Sequence, residues 1–246
     1  EISLGLVGSE MCIRDSRFSI FHSSFSNIKH LDIPHLDGAI FDFGMSSNQL
    51  DDPSRGFSFK NNGPIDMRMN TESDANLKKW INNASENEIE DVIRQFGEES
   101  NAKKISKKII EVRQNKSIND THDLAEIIKS VSRFKKNKIH PATKTFQAFR
   151  IFINNELDEI QKLLSSIDDM MKVGSRLVFI SFHSLEDRLI KNFFRPKEIN
   201  YPRDIPINNE IEIRYKALGK KIRASKDEIK INPRSRSAIL RAFEKI

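Results

Sequence analysis

Cysteine occurs once in this chain, at position 12. A single thiol excludes an internal disulfide framework and any zinc site built on several cysteines. Long apolar runs are missing too: the most continuous, LVFISF, covers only Leu177 to Phe182, against about 20 residues needed to cross a bilayer. No basic start followed by an apolar stretch marks a secretory signal. With 37% hydrophobic and 31% charged residues, a soluble globular protein of the cytoplasm, without a membrane partner, is expected. The loop G-x-x-x-x-G-K-[ST] is absent, which argues against a P-loop nucleotidase. So is the G-x-S-x-G elbow, and Ser181, His183 and Asp187 stand too close in sequence to form a hydrolase triad from separate loops. His22, His30, His35, His122, His140 and His183 show no spacing with carboxylates that resembles a zinc or iron site, so no metal is expected.

What is present is charge, unevenly placed. The net charge is +6 over 246 residues. Residues 51–100 hold six Lys/Arg against eleven Asp/Glu, 101–150 thirteen against four, and 211–246 eleven against four. Two separated basic segments suggest a polyanion partner, with a lysine-rich solvated face as the plainer alternative.

The chain opens on Glu1 rather than methionine. Residues 1–16, EISLGLVGSEMCIRDS, carry the only cysteine and no clear helix or strand period, and they resemble translated adapter sequence. They are expected to be foreign to the fold. Arg17 to Phe25 is a short strand candidate. GAIFDF, from Gly38 to Phe43, reads as a buried strand covered on both faces. The loop DDPSRGFSFKNNGPIDMRMN after it is too long for an ordinary connection and is expected to be functional.

Helical patterns follow. SENEIEDVIRQFG carries a capping-box pair, Ser85 and Glu88, with Gly97 as its stop. Ala102 to Val112 and Thr121 to Val131 are amphipathic. A stripe through Phe146, Phe149, Ile153, Leu157, Ile160, Leu164, Ile167 and Met171 means one long helix, or two in series, ended by Gly174. RLVFISF is the next strand, Ser184 opens another helix, and PRSRSAILRAFEKI is a terminal strand candidate. The order predicts an α/β fold with a mostly parallel sheet in 17–70 and 140–246 and an inserted helical subdomain in 71–139.

Two strand ends gather polar groups: Asp42 with Ser46, Ser47 and Gln49, and Ser181, His183, Ser184, Glu186 and Asp187. In a parallel sheet both emerge at one edge, where ligands bind. Asp42 could instead be a turn acceptor, Ser184 and Asp187 helix caps, and His183 a structural histidine.

Four stretches, taken in order, carry a family resemblance: DGAIFDFGMSSNQLDDPSRGFSFKNNGPIDMRM, HPATKTFQAFRIFINNELDEI, RLVFISFHSLEDRLIKNFFR and NPRSRSAILRAFEK. Together they resemble the MraW (RsmH) family of bacterial S-adenosylmethionine-dependent methyltransferases, which act on the exocyclic amine of a cytosine in small-subunit ribosomal RNA. The resemblance runs from about Arg17 to the C-terminus. It implies a Rossmann-like methyltransferase domain with a helical insertion, S-adenosylmethionine as cofactor, and 16S ribosomal RNA or the small ribosomal subunit as partner. It also implies that the first strand of the sheet and its Gly-Gly-His cofactor loop lie outside this chain. Phe25 would then contact the adenine region, and Asp42 and Gln49 would line the methyl-donor pocket.

Methylating a cytosine amine needs a proton acceptor, for which Asp42 is the first candidate and His183 the second. An unstacked base could lie on Phe57 or Phe59. Arg55, Arg68, Lys144, Arg150, Arg188, Arg234 and Arg236 are candidate phosphate contacts. A non-catalytic RNA-binding module is the competing reading, and the oligomeric state, a homodimer included, is left open.

Overall fold

The computed structural model describes residues 19–132, 140–195 and 214–246. In chain order its elements are β1 (Leu36–Asp42), α1 (Ser47–Asp51), α2 (Leu77–Asn83), α3 (Glu86–Gly97), α4 (Ala102–Arg113), α5 (Thr121–Val131), α6 (Ala142–Ile153), α7 (Glu156–Ile167), β2 (Met171–Ser181), α8 (Ser184–Phe193), β3 (Tyr215–Ala217), β4 (Ile222–Arg223), α9 (Lys226–Ile231) and β5 (Ile239–Lys245). They form two compact units, Glu1–Gly44 with Leu157–Ile246, and Met45–Glu156. The helical insertion expected at 71–139 lies inside the second unit, which also takes in the loop before it and α6.

The first unit is an α/β sheet in the order β1-β2-β5-β3, with β4 also on β5. Only β1 and β2 run parallel; β5 is antiparallel to β2, β3 and β4. The mostly parallel sheet expected from sequence is therefore corrected for the described strands. β3 and β4 are two pieces of one interrupted edge strand. The chain turns back after them through α9 and the 3-10 turn Pro233–Ser237, so β5 must run the opposite way.

Alternation along the strands sets what is buried. Phe41, Leu177, Phe179 and Phe243 pack with Ile160, Leu163, Leu164 and Ile167 of α7 and Ile190 of α8. The Phe179 ring lies 5.3 Å from Phe41 and 5.5 Å from Phe194, which stacks on Phe243 at 4.0 Å. Each fully buried side chain of this size stabilises the unit by roughly 1.5–3 kcal/mol. β1 was expected to be covered on both faces, but Ile40 is 73% exposed. Among the described strands β1 pairs only with β2. Residues 19–24 form no strand either, and Phe25–His30 is a 3-10 turn. The Ser24 and Ser26 hydroxyls donate to the Glu159 carboxylate on α7, a local bonding pattern that competes with a sheet ladder.

In the second unit α3 starts on the expected box: the Ser85 hydroxyl accepts from the Glu88 N–H, and the Glu88 carboxylate accepts from the Ser85 N–H. Gly97 is not the stop but the last helical residue; Glu98, at φ 46°, ends the helix in the left-handed conformation. Gly97 serves a close approach instead, since a Cβ there would meet the Lys144 carbonyl oxygen of α6 at 2.9 Å. The long apolar stripe proves to be two helices in series, broken at Asn154 and Asn155, the latter at φ 50°. Phe146, Phe149 and Ile153 feed the helical core, while Ile160, Leu164 and Ile167 feed the sheet core. Met171 already opens β2, and Gly174 lies within that strand at φ +82° rather than ending a helix.

Candidate active site

Asp42 and the segment that begins at Ser181 emerge at one sheet edge, because β1 and β2 run parallel with Asp42 opposite Ile180. The next N–H, that of Phe43, donates to the Ile180 carbonyl at 3.0 Å, so the ladder holds to the last residue of the strand. Gly44 then turns the chain at φ +95°, a conformation that strongly favours glycine, with Phe182 beside it.

After β2 the helix α8 opens at Ser184 as expected, but its cap is His183 and not Ser184. The His183 Nδ1 accepts from the Glu186 N–H at 3.4 Å, and the Glu186 carboxylate accepts from the N–H groups of Phe182 and His183 at 2.7 and 3.2 Å. The His183 Nε2 stands 3.1 Å from the Glu186 Oε1. Both ring nitrogens thus face Glu186, so the geometry gives His183 the structural role of a helix cap. Asp187, also expected to cap, instead takes a bidentate bond from Arg241 at 2.6 and 3.0 Å. That guanidinium holds the Asp187 carboxyl below its ordinary range.

Asp42 is shifted the other way. Partial desolvation of its carboxyl, and secondarily the negative charge of Glu186, push its pKa up. Much of the Asp42 side chain still meets solvent. The two acids are therefore shifted in opposite directions, Asp187 down by its arginine and Asp42 up by desolvation and the charge of Glu186. Such separation is a mark of functional carboxylates.

Phe25 sits in the same unit, 39% exposed, with its ring 5.5 Å from that of Phe43. The exposed part of the Phe25 ring suits an aromatic group, and the exposed Asp42 carboxyl suits a cation. S-adenosylmethionine carries both, and Asp42 with Glu186 complements its positive charge, so these residues fit the cofactor. Gln49, in the helical unit, closes a capping box on α1: its Oε1 accepts from the Ser46 N–H at 3.0 Å, and its own N–H donates to the Ser46 hydroxyl at 3.2 Å.

Of the seven candidate phosphate contacts, three arginines are engaged inside the helical unit. Arg55 donates to the carbonyls of Arg68 and Met69 at 2.7 and 3.0 Å. Arg68 grips Asp66 at 2.6 and 2.8 Å and also donates to the Thr71 and Ser73 carbonyls. Arg150 makes a bidentate pair with Glu156 at 2.7 and 2.8 Å. The reason is local: an irregular loop leaves carbonyls without ladder partners, and a buried carboxylate such as Glu156 needs a cation. Lys144 is exposed but donates to the Glu98 carbonyl at 3.0 Å, closing the end of α3. Arg188, Arg234 and Arg236 are exposed. Phe57 is buried in the helical core, and Phe59 packs 4.9 Å from Phe146, so both serve packing.

Sequence reasoning named Glu186 only as one polar group among several; its total burial next to main-chain donors marks it as the organiser of the edge. It passed over Asn154 entirely. That side chain accepts from the Met69 N–H at 2.6 Å and donates to the Met67 carbonyl at 2.7 Å, holding Met67 at φ 61°. The doubled asparagine between two apolar stripes was the available signal.

Residues 7–246 match the MraW methylase family. The match begins inside the segment expected to be foreign, so it does not reproduce a boundary at 16/17. The chain is 44% identical over 247 residues to a ribosomal RNA small subunit methyltransferase H of Coxiella burnetii, covering 98% of this chain and 80% of that protein. A protein of the same name from Legionella pneumophila is 45% identical over 241 residues, covering 94% and 78%. One from a Marinomonas species is 42% identical over 240 residues, covering 94% and 77%. Among the described residues no helix is long and apolar enough to cross a membrane.

Proposed function

Because this chain belongs to the MraW methylase family, we propose that it methylates the exocyclic N4 amine of a cytosine in 16S ribosomal RNA, using S-adenosylmethionine. The relatives' names support the RNA substrate. The observation that carries the chemistry is Asp42, an accessible acid at the sheet edge whose pKa is raised by desolvation and by Glu186.

When bound, S-adenosylmethionine supplies an activated methyl group and a positive charge. Phe25 would pack against its adenine, and Asp42 would face its cationic portion; Gln49 is assigned on its motif. The cytosine amine is a poor nucleophile, because its lone pair is delocalised into the ring. Its nitrogen must be held in line with the donor and its proton must find an acceptor. Asp42 is that acceptor, and its raised pKa makes it a stronger base than an ordinary aspartate. His183 is not used for this, since its nitrogens are turned to Glu186.

Asp42→Asn tests the reading. Methyl incorporation into 16S RNA should fall by about 10²–10⁴-fold, the usual worth of a positioned acid or base. Stability should hold or rise, because a raised acid pKa means that ionisation opposes folding at neutral pH, and the amide removes that penalty. The wild-type rate should decline as pH falls through the raised pKa, above the ordinary value of about 3.9. Near-normal turnover, or a loss of activity that merely tracks unfolding, would sink the assignment.

A further inference from the structure

The outward face of α4 in the helical unit has no role in the site just described. Lys103, Lys104 and Lys107 are exposed on it, and Lys108 is half-buried beside them, while Ala102, Ile105, Ser106 and Ile109 face the core. The pairs 103/107 and 104/108 are each one helical turn apart, so like charges stand next to each other and repel. Their place on the helix compounds this. Lys103 and Lys104 lie in the first turn, at the positive end of the helix dipole, where acids are favoured and cations are not.

α3 and α5 on either side follow the usual rule: their first turns carry Glu86 and Glu88, and Asp123. α4 has no acid in its first turn and no side-chain cap from Asn101; the one carboxylate bonded at this end, Glu99, is taken by the Asn101 N–H and side-chain amide at 2.9 and 3.2 Å and pairs with none of the three lysines. Neighbouring cations also find partners: Lys108 pairs with Glu111, Lys116 with Asp123 and Lys129 with Glu126. Lys103, Lys104 and Lys107 form no ion pair among the described residues, even though the adjoining helix α3 is rich in acids. A helix end that concentrates unneutralised positive charge against its own dipole is most stable next to an external polyanion.

Resting on the reading above, we infer that α4 is a docking surface for the phosphate backbone of the RNA substrate, gripped by Lys103, Lys104 and Lys107. The contact is electrostatic and reads no sequence. It sets affinity and its salt dependence, whereas the choice of base belongs to the edge at Asp42.

The test compares wild type with the triple variant K103Q/K104Q/K107Q, using transcribed 16S ribosomal RNA as probe between 50 and 200 mM salt. Three lost phosphate contacts should lower the slope of log affinity against log salt by about 2–3. The wild type should therefore lose roughly 20–40-fold more affinity than the variant across that range. Circular dichroism melts check that the variant is folded, as exposed lysines predict. A folded variant with wild-type affinity and slope overturns the inference, and so does one that keeps its RNA affinity but loses adherence to phosphatidylserine vesicles. If wild type neither binds nor methylates the RNA, the proposed function itself has failed, which is a different outcome.

Discussion

In the helical unit Arg55, Arg68 and Arg150 aim their guanidinium groups at carbonyls or carboxylates of that same unit; in the sheet unit Arg241 does so with Asp187, whereas Arg188, Arg234 and Arg236 lie exposed. The difference follows from how each backbone satisfies itself. The loop from Asp52 to Asn70 has little regular structure, and its carbonyls recruit arginine side chains. In the sheet unit the turn Pro233–Ser237 closes on its own main-chain bonds, such as Ser235 N–H to the Asn232 carbonyl at 3.0 Å. Arg234 and Arg236 in this turn are exposed. An arginine in a sequence is therefore a candidate polyanion contact only where no nearby carbonyl or buried acid needs it.

The largest effect expected from this contrast is at Arg150. Its pair with Glu156 is 16% and 7% exposed, so Arg150→Ala removes the bidentate cation from a carboxylate that is almost fully buried. Removing one partner of such a pair costs about 3–5 kcal/mol. Urea unfolding of Arg150→Ala should show that loss, and Arg150→Ala with Glu156→Gln should recover part of it. A variant as stable as wild type would mean that Arg150 is a surface cation after all, and would return it to the RNA-contact candidates. Arg236→Ala in the sheet unit, an exposed position, should move stability by no more than about 0.5 kcal/mol.

Asn154 comes next. Asn154→Ala removes the acceptor of the Met69 N–H and the donors to the Met67 and Arg150 carbonyls. Leaving such part-buried groups unpaired should cost about 2–3 kcal/mol. Amide exchange would sharpen the comparison by locating the damage: protection should fall at Met69, while the sheet amides of Phe179 and Ile180 stay protected. Uniform loss of protection would contradict a local role for this residue.

Legibility divides along the same line. Two amphipathic helices were readable to within a residue or two, because spacing and caps are local: Ser85 with Glu88, and Thr121 to Val131, are where the pattern put them, whereas the short helices Ser47–Asp51, Leu77–Asn83 and Lys226–Ile231 were not read. The sheet was harder. The apolar run GAIFDF looks the same whether a strand is central or at an edge, so the exposure of Ile40 could not be read from it. Strand direction at β5 depended on a broken partner strand whose pieces are three and two residues long. For the site, the meeting of Asp42 with the His183 segment was legible, since parallel strands bring their ends together. The fates of the polar residues were not. Whether His183 caps a helix, or Asp187 meets Arg241 fifty-four residues away, is decided by tertiary distances that no short motif contains.

A smaller loss than at Arg150 or Asn154 is expected at Gly97, where two known magnitudes oppose each other. Alanine favours a helix over glycine by about 1 kcal/mol, so propensity alone predicts that Gly97→Ala stabilises α3. The added methyl, however, would lie 2.9 Å from the Lys144 carbonyl oxygen and 3.2 Å from the Ala148 Cβ. The nearer atom is backbone and cannot rotate away, so α3 and α6 must separate. Overpacking of this kind costs roughly 1–3 kcal/mol. Packing should win by about 1 kcal/mol net, a drop of a few degrees in Tm. A Tm above wild type would show that α6 gives way easily here, and that helix packing in this unit is looser than the salt-bridged loop beside it.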